Sequence, residues 1–150
     1  MIRNFEPKDR EAILAMVTDF YTSPGVLHKI PVSNFADAFD DMMAGTPHLR
    51  GLTIEQDGAV VGYAQLTFSY STEAGGMVVS LEELYLSDAC RGLGLGHEAI
   101  DFIINEYRDK AARFRLEVSP ENPRARALYE RLGFVELPYI QMINENFKKQ

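Results

Sequence analysis

The chain has 150 residues, 46% of them apolar and 25% charged, with a formal net charge of −7. That is enough for one domain with a substantial core, and too short for two. The acid excess argues against a general binder of nucleic acid or anionic membranes, and no apolar run is long enough for a membrane span. A cationic small substrate suits the charge, although acidity for solubility alone is the commoner explanation. Met1 to Glu11 carries no signal-peptide pattern, and the single cysteine, Cys90, cannot form an internal disulfide. Together these favour a cytoplasmic protein.

Ile2 to Phe5 alternates briefly and fits an edge strand. Asp9 is placed to cap a helix from about Arg10 to Tyr21, with Ile13, Leu14, Val17, Phe20 and Tyr21 along one side; Ser23-Pro24-Gly25 stops it. Val26 to Val32 reads as an ordered loop carrying His28 and Lys29. Ser33 then caps a helix over Asn34 to Ala44, with Phe35, Ala38, Phe39 and Met42 inward and Gly45 at its end. Leu49–Gln56 and Ala59–Ser69 are strands joined by an Asp57-Gly58 hairpin, followed by a turn over Thr72–Gly76. Val78–Leu86 is the third long strand. Leu95–Arg108 is a helix burying Ala99, Ile100, Ile103, Ile104 and Tyr107. Phe114–Val118 is a strand. Asn122 caps a helix with Pro123 at its first position and Gly133 at its end. Phe134–Leu137 and Tyr139–Ile143 read as short closing strands. The order β-α-α-β-β-β-α-β-α-β-β is α+β or α/β, with a mostly antiparallel half and one βαβ crossover over Val78–Val118.

Chemistry concentrates where the third long strand meets Arg91, Gly92, Gly94 and Gly96 before a helix begins. Strand, glycine turn and helix N-terminus hold a phosphate, because glycine admits close backbone approach and the first-turn N–H groups have no helical partner. A P-loop needs Lys and Ser/Thr after its last glycine, and His97-Glu98 follow here. A dinucleotide fingerprint fits Gly94, Gly96 and Ala99, with Glu117 downstream for a ribose. However, only one βαβ unit fits after that turn, and a doubly wound sheet needs more. The third reading is a pyrophosphate turn for coenzyme A.

Arg91-Gly92-Leu93-Gly94-Leu95-Gly96 matches the Q/R-x-x-G-x-G/A signature of the GNAT acyl-CoA N-acyltransferases, which this chain resembles. The Asn122–Tyr129 stretch before Gly133-Phe134 resembles the family's late Asn-led helix with its tyrosine. Leu81-Glu82-Glu83-Leu84-Tyr85-Leu86 is similar to the L-E-[DE] stretch of diamine-type small-molecule members. The resemblance covers essentially the whole chain and implies a mixed, mostly antiparallel sheet flanked by helices in a single domain over residues 1–150.

The resemblance also implies roles. Leu84, Tyr85 and Leu86 pair with the pantetheine arm, and a backbone N–H there can hold the thioester oxygen. Gly92, Gly94 and Gly96, with the intervening Leu93 and Leu95 amides, wrap the pyrophosphate; Arg91 and His97 add charge. Asn122 and Ala125 complete the acetyl-CoA site, although Asn122 is equally a plain helix cap. Tyr129 donates a proton to the departing thiolate; by spacing alone it is a core aromatic. Full transfer is slightly uphill, with a phenol pKa of about 10 against about 8.5 for a thiol. Glu82 and Glu83 are expected on opposite faces of their strand. Glu82 is the candidate base that removes the amine's proton, through water, before attack, and Glu83 a substrate contact. Phe20, Tyr21, His28 and the segment to Phe39, with Asp37, Asp40 and Asp41, shape the acceptor pocket.

The expected reaction is direct acetyl transfer from acetyl-CoA to a primary amine of a small molecule in a ternary complex, with no metal. The three histidines are scattered, and Cys90 has no base beside it. A protein N-terminus or lysine is an alternative acceptor. A non-catalytic acyl-CoA-binding module would keep the glycine turn and lose Tyr129 and the glutamates. The resemblance further implies a homodimer through the closing strands.

Overall fold

The structure is a computed structural model and describes residues 1–23 and 29–149. Five strands form one sheet in the order β1-β2-β3-β4-β5: β1 Ile2–Asn4, β2 Leu49–Gln56, β3 Ala59–Ser71, β4 Gly76–Leu86 and β5 Ala111–Leu116. All neighbours are antiparallel except β4 and β5. The β2–β3 hairpin turns at Asp57-Gly58, both with positive φ (52° and 81°), as a tight two-residue connection requires. The parallel pair is bridged by α3, Leu95–Tyr107, in the expected crossover.

Helices α1 (Arg10–Thr22) and α2 (Val32–Met43) cover one face of the sheet, where Phe5, Ile13, Val17, Phe35, Phe39, Tyr63 and Tyr85 form a core cluster. On α3, Leu95, Ala99, Ile100 and Ile103 recur at helical spacing and are buried. They pack with Leu52, Ile54, Ala64, Leu66 and Val79 on the opposite face. Helix α4, Pro123–Arg131, lies after β5.

Several boundaries differ from the expectation. Asp9 makes no side-chain cap on α1. It ends a 3₁₀ turn begun by Pro7, and its carboxylate receives the Arg3 guanidinium at 2.7 and 2.9 Å and the Glu6 amide at 2.7 Å. Helix α2 starts at Val32 behind Pro31, so Ser33 is inside the helix and caps nothing. Strand β5 begins and ends earlier than Phe114–Val118. The two closing strands do not form: residues 134–145 hold no strand or helix, and Val135, Tyr139, Ile140, Met142 and Ile143 are exposed. Their alternating apolar pattern finds no partner within the described chain. Among the described residues no helix is long and apolar enough to cross a membrane.

Candidate active site

Parallel pairing of β4 with β5 ends at Leu81 and Leu116, while β4 continues to Leu86. Glu83 to Leu86 therefore keep β3 on one side and, among the described residues, have no strand on the other. A cleft of about 600 Å³ opens there. Leu84, Tyr85 and Leu86 form one wall; Arg91, Gly92, Gly94, Gly96 and His97 form its end; Asn122, Ala125, Leu128 and Tyr129 form the other wall.

The glycine turn is built by backbone need. Gly92 and Gly94 have φ of 83° and 88°, a region that L side chains rarely adopt. Gly94 precedes α3 with no side-chain cap, so the first-turn N–H groups of α3 remain for a ligand. Arg91 braces this turn: its Nε donates to the Leu86 carbonyl at 3.0 Å and its Nη1 pairs with Asp88 at 2.5 Å. His97 pairs with Asp101 at 2.9 Å, one turn along α3. Asn122 Oδ1 accepts the Ala125 amide at 3.1 Å, so it caps α4 and also lines the cleft. Leu93 is exposed and Leu95 sits in the core, and neither side chain lines the cleft; both can contribute only through the backbone.

The sequence reading missed Arg124 and Arg131, which stand in the cleft wall with no ion pair among the described residues. Their signal was present, since both lie on the helix singled out for Asn122 and Tyr129. The turn, the α3 N-terminus and these two cations form a cradle that fits a pyrophosphate.

Tyr129 faces this cleft, and burial pushes its hydroxyl pKa above the usual 10. Its ring meets Phe134 edge-on at 6.0 Å. No hydrogen bond engages its hydroxyl among the described residues.

The glutamates are not on opposite faces. In the β3–β4 register Gln65 pairs with Glu83 and Leu66 with Leu81, leaving Glu82 as an extra residue in a bulge. Tyr63 and Thr67 are four apart on β3 and share a face. Tyr63 donates to Glu83 at 2.7 Å, and Thr67 donates to Glu82 at 2.7 Å. The bulge thus turns both carboxylates to one side. Glu83 also accepts the Tyr21 hydroxyl at 2.5 Å. Burial raises the Glu83 carboxyl above its usual 4.5, opposed by the two hydroxyl donors, with a further upward push from Glu82. Tyr63 and Tyr21 are pushed well above a normal phenol, chiefly by burial, and stay protonated. Tyr85 donates to Asp19 and is raised to about 12, chiefly by burial. Tyr63 was not expected in this site, because its role depends on cross-strand register.

Of the other residues named around the acceptor, Phe39 is fully buried, in keeping with its inward place on α2, and Asp40 pairs with Arg10 at 3.1 Å. His28 lies outside the described residues. Glu117 is exposed just past β5.

Residues 12–134 match the Acetyltransferase (GNAT) family. The chain belongs to this family. As a GNAT member it is an acyl-CoA-dependent N-acetyltransferase, and the dinucleotide reading falls. Similar to it are the "Thialysine N-epsilon-acetyltransferase" of Bos taurus, 31% identical over 149 residues (91% of this chain, 85% of that protein), and that of Mus musculus, 30% identical over 148 residues (91% and 84%). Among solved structures, a "possible acetyltransferase" from Clostridium difficile 630 shares the GNAT fold with TM-score 0.82 at 20% identity, covering 97% of this chain and 96% of that one. A "predicted acetyltransferase with acetyl-CoA" from Clostridium acetobutylicum does so with TM-score 0.78 at 18% identity, covering 99% and 97%.

Proposed function

We propose that this protein moves an acetyl group from acetyl-CoA to a primary amine of a small molecule, with both substrates bound together, in the cytoplasm. The observation that carries this reading is the cleft between β4 and α4, with the phosphate-type turn at one end and Tyr129 in its wall. Acetyl-CoA supplies the acyl thioester. The glycine turn, the α3 N-terminus, Arg124 and Arg131 hold its phosphates, and the unpaired edge of Leu84–Leu86 holds its arm. The names of the similar thialysine acetyltransferases favour a small amino-bearing acceptor.

Glu82 is exposed and uses one oxygen for Thr67, so the other can draw the amine's proton through a water. Glu83 has both oxygens engaged by phenol hydroxyls and serves as a fixed counter-charge for the acceptor. The raised pKa of Tyr129 makes complete proton transfer to a thiolate unfavourable. Its contribution is a hydrogen bond to the sulfur as charge develops. The exposed apolar segment 135–143 and the unpaired outer edge of β5 support a homodimer.

Calorimetric titration with acetyl-CoA, with NAD for comparison, tests the reading. Saturable binding of acetyl-CoA alone, followed by thiol release in a panel of small amines, supports it. Binding without turnover of any amine favours a non-catalytic module, and NAD binding alone overturns it.

A further inference from the structure

Three consecutive residues at the end of α1 meet the free part of β4. The Tyr85 hydroxyl donates to Asp19, and the Tyr21 hydroxyl donates to Glu83 at 2.5 Å. Glu83 and Tyr85 are two apart on β4 and so share a face. Phe20 stands between the two bonded residues and is held from both sides. Its ring meets Tyr21 edge-on at 5.0 Å and Tyr85 edge-on at 6.2 Å. Its carbonyl accepts the Ser23 amide at 3.1 Å and the Ser23 hydroxyl at 2.7 Å, which closes the helix end. Tyr85 is itself fixed: it is 6% exposed, stacks on Tyr63 at 5.8 Å and lies 5.9 Å from the Arg91 guanidinium.

Phe20 and Ser23 line the same cleft as the glycine turn and Tyr129. That cleft has a direction. Its phosphate end is the glycine turn, which Arg91 ties to Leu86. From Leu86, β4 runs back to Glu83 over about 10 Å. An acyl-CoA with its phosphates at the turn and its arm along this edge brings its acyl carbons to the end where α1 crosses. The wall there is an aromatic ring on a helix turn tied to β4 at both neighbouring residues. Extra methylenes need the volume of that ring, and the turn cannot shift outward without breaking those two bonds.

Resting on the transferase reading above, we infer that Phe20 is the specificity-determining residue that limits the acyl group to a short chain, and that Asp19 is a positioning residue that holds Phe20 in place through the Tyr85 hydroxyl.

The test compares acetyl-CoA with butyryl-CoA, by thiol release with cadaverine as acceptor and by calorimetric titration of each thioester. It uses the wild type, Phe20→Ala, Phe20→Leu, Asp19→Ala, Asp19→Asn and Tyr85→Phe. Wild type is expected to favour acetyl-CoA in kcat/KM by about tenfold or more. Phe20→Ala should bring the ratio near one or invert it, and Phe20→Leu should fall between. Asp19→Ala and Tyr85→Phe remove the same bond. Each should therefore lower the ratio severalfold, and the two together no further than either alone. Asp19→Asn keeps an acceptor oxygen for the hydroxyl and should retain the wild-type ratio. A role in stability alone would lower the rates with both thioesters equally and leave the ratio where it was. Thermal unfolding checks that the variants fold, and Phe20→Leu decides if Phe20→Ala does not. A wild type that does not distinguish the thioesters overturns the inference, as does an unchanged ratio in the Phe20 variants. An unchanged ratio in Asp19→Ala overturns the role of Asp19. If cadaverine releases thiol from neither thioester, the transferase reading is what fails for this class of acceptor, and the titration decides the inference alone. Tighter binding of acetyl-CoA than of butyryl-CoA, lost in the Phe20 variants, then sustains it; an unchanged ratio, or no binding of either, overturns it.

Discussion

The Tyr63 hydroxyl reaches diagonally across the β3–β4 pair to donate a 2.7 Å hydrogen bond to Glu83, two register pairs away from its own partner, Tyr85. Its ring stacks on Tyr85 at 5.8 Å and meets Phe35 edge-on at 5.5 Å. The core cluster under α1 and α2 therefore fixes the donor that fixes Glu83. Packing on the helical side sets the electrostatics at the strand edge where acyl transfer is proposed.

Glu83 should leave a signature in the pH dependence of stability. Burial raises its carboxyl above 4.5, so the folded state holds that proton at higher pH than the unfolded chain does. Stability owed to this group therefore falls as pH climbs from about 4.5 through the native value. Glu83→Gln removes the titration. Denaturant midpoints at about pH 4.5 and about pH 7.5 should show wild type losing ground to the variant at the higher pH. Tyr63→Phe removes one donor and should cost about 1–3 kcal/mol.

Asp9 predicts the opposite sign. Its carboxyl is 3% exposed and is lowered below 3.8, chiefly by the Arg3 side-chain bonds. Arg3 also pairs with Glu55 at 2.6 Å and so ties β1 to β2 and to the turn before α1. The stabilisation is present above pH 3.8 and is lost as pH falls through the lowered native value. Arg3→Met strands a buried carboxylate and should cost about 3 kcal/mol at neutral pH. The gap to wild type should narrow below about pH 4, measured by urea unfolding.

What was legible in the sequence was local. Gly92 and Gly94 occupy positive φ, and Asn122 caps α4 with Pro123 behind it, all within a few residues of chain. The helices and the hairpins follow from periodicity and turn chemistry for the same reason. The Glu82 bulge was not legible, because an unpaired residue is a property of two strands together. That is why the glutamates were expected on opposite faces and Tyr63 was overlooked. The closing strands failed differently: Val135, Leu137, Ile140 and Met142 carry an apolar pattern, but pattern alone does not supply a partner strand.

Tyr129→Phe tests the thiolate contact. The ring is kept, so the packing on Phe134 and the cleft shape are retained. Turnover should fall on the order of 100-fold, with KM for acetyl-CoA within about twofold, because the lost bond forms only as sulfur gains charge. Since burial raises this phenol above 10, the Tyr129-dependent part of the rate should persist through neutral and mildly alkaline pH. A drop in acetyl-CoA affinity with turnover intact would assign Tyr129 to binding instead.

Gly94→Ala tests the turn. Gly94 has φ 88° and open space around a would-be Cβ, so only backbone strain opposes the methyl. That strain is about 1–2 kcal/mol. Relieving it means moving the N-terminus of α3, which should weaken acetyl-CoA binding by about tenfold in calorimetry. An equal substitution at Gly45 (φ 85°), which does not line the cleft and likewise has open space, should cost stability alone. Similar affinity loss at both positions would mean that general destabilisation explains the effect.

The segment after α4 yields the last prediction. Ile140 is 91% exposed and Met142 90%, an arrangement that a lone chain in water has no reason to keep. β5 meanwhile has β4 on one side and, among the described residues, no strand on the other. An apolar segment and an open strand edge on the same chain are complementary between two copies, and pairing them would bury both. Sedimentation at micromolar concentration should give twice the chain mass of 16.9 kDa. Ile140→Asp with Met142→Asp should give the single-chain mass while acetyl-CoA binding persists, because neither residue lines the cleft. A wild type that sediments as one chain, or a double variant that remains paired, would rule out this segment as the interface.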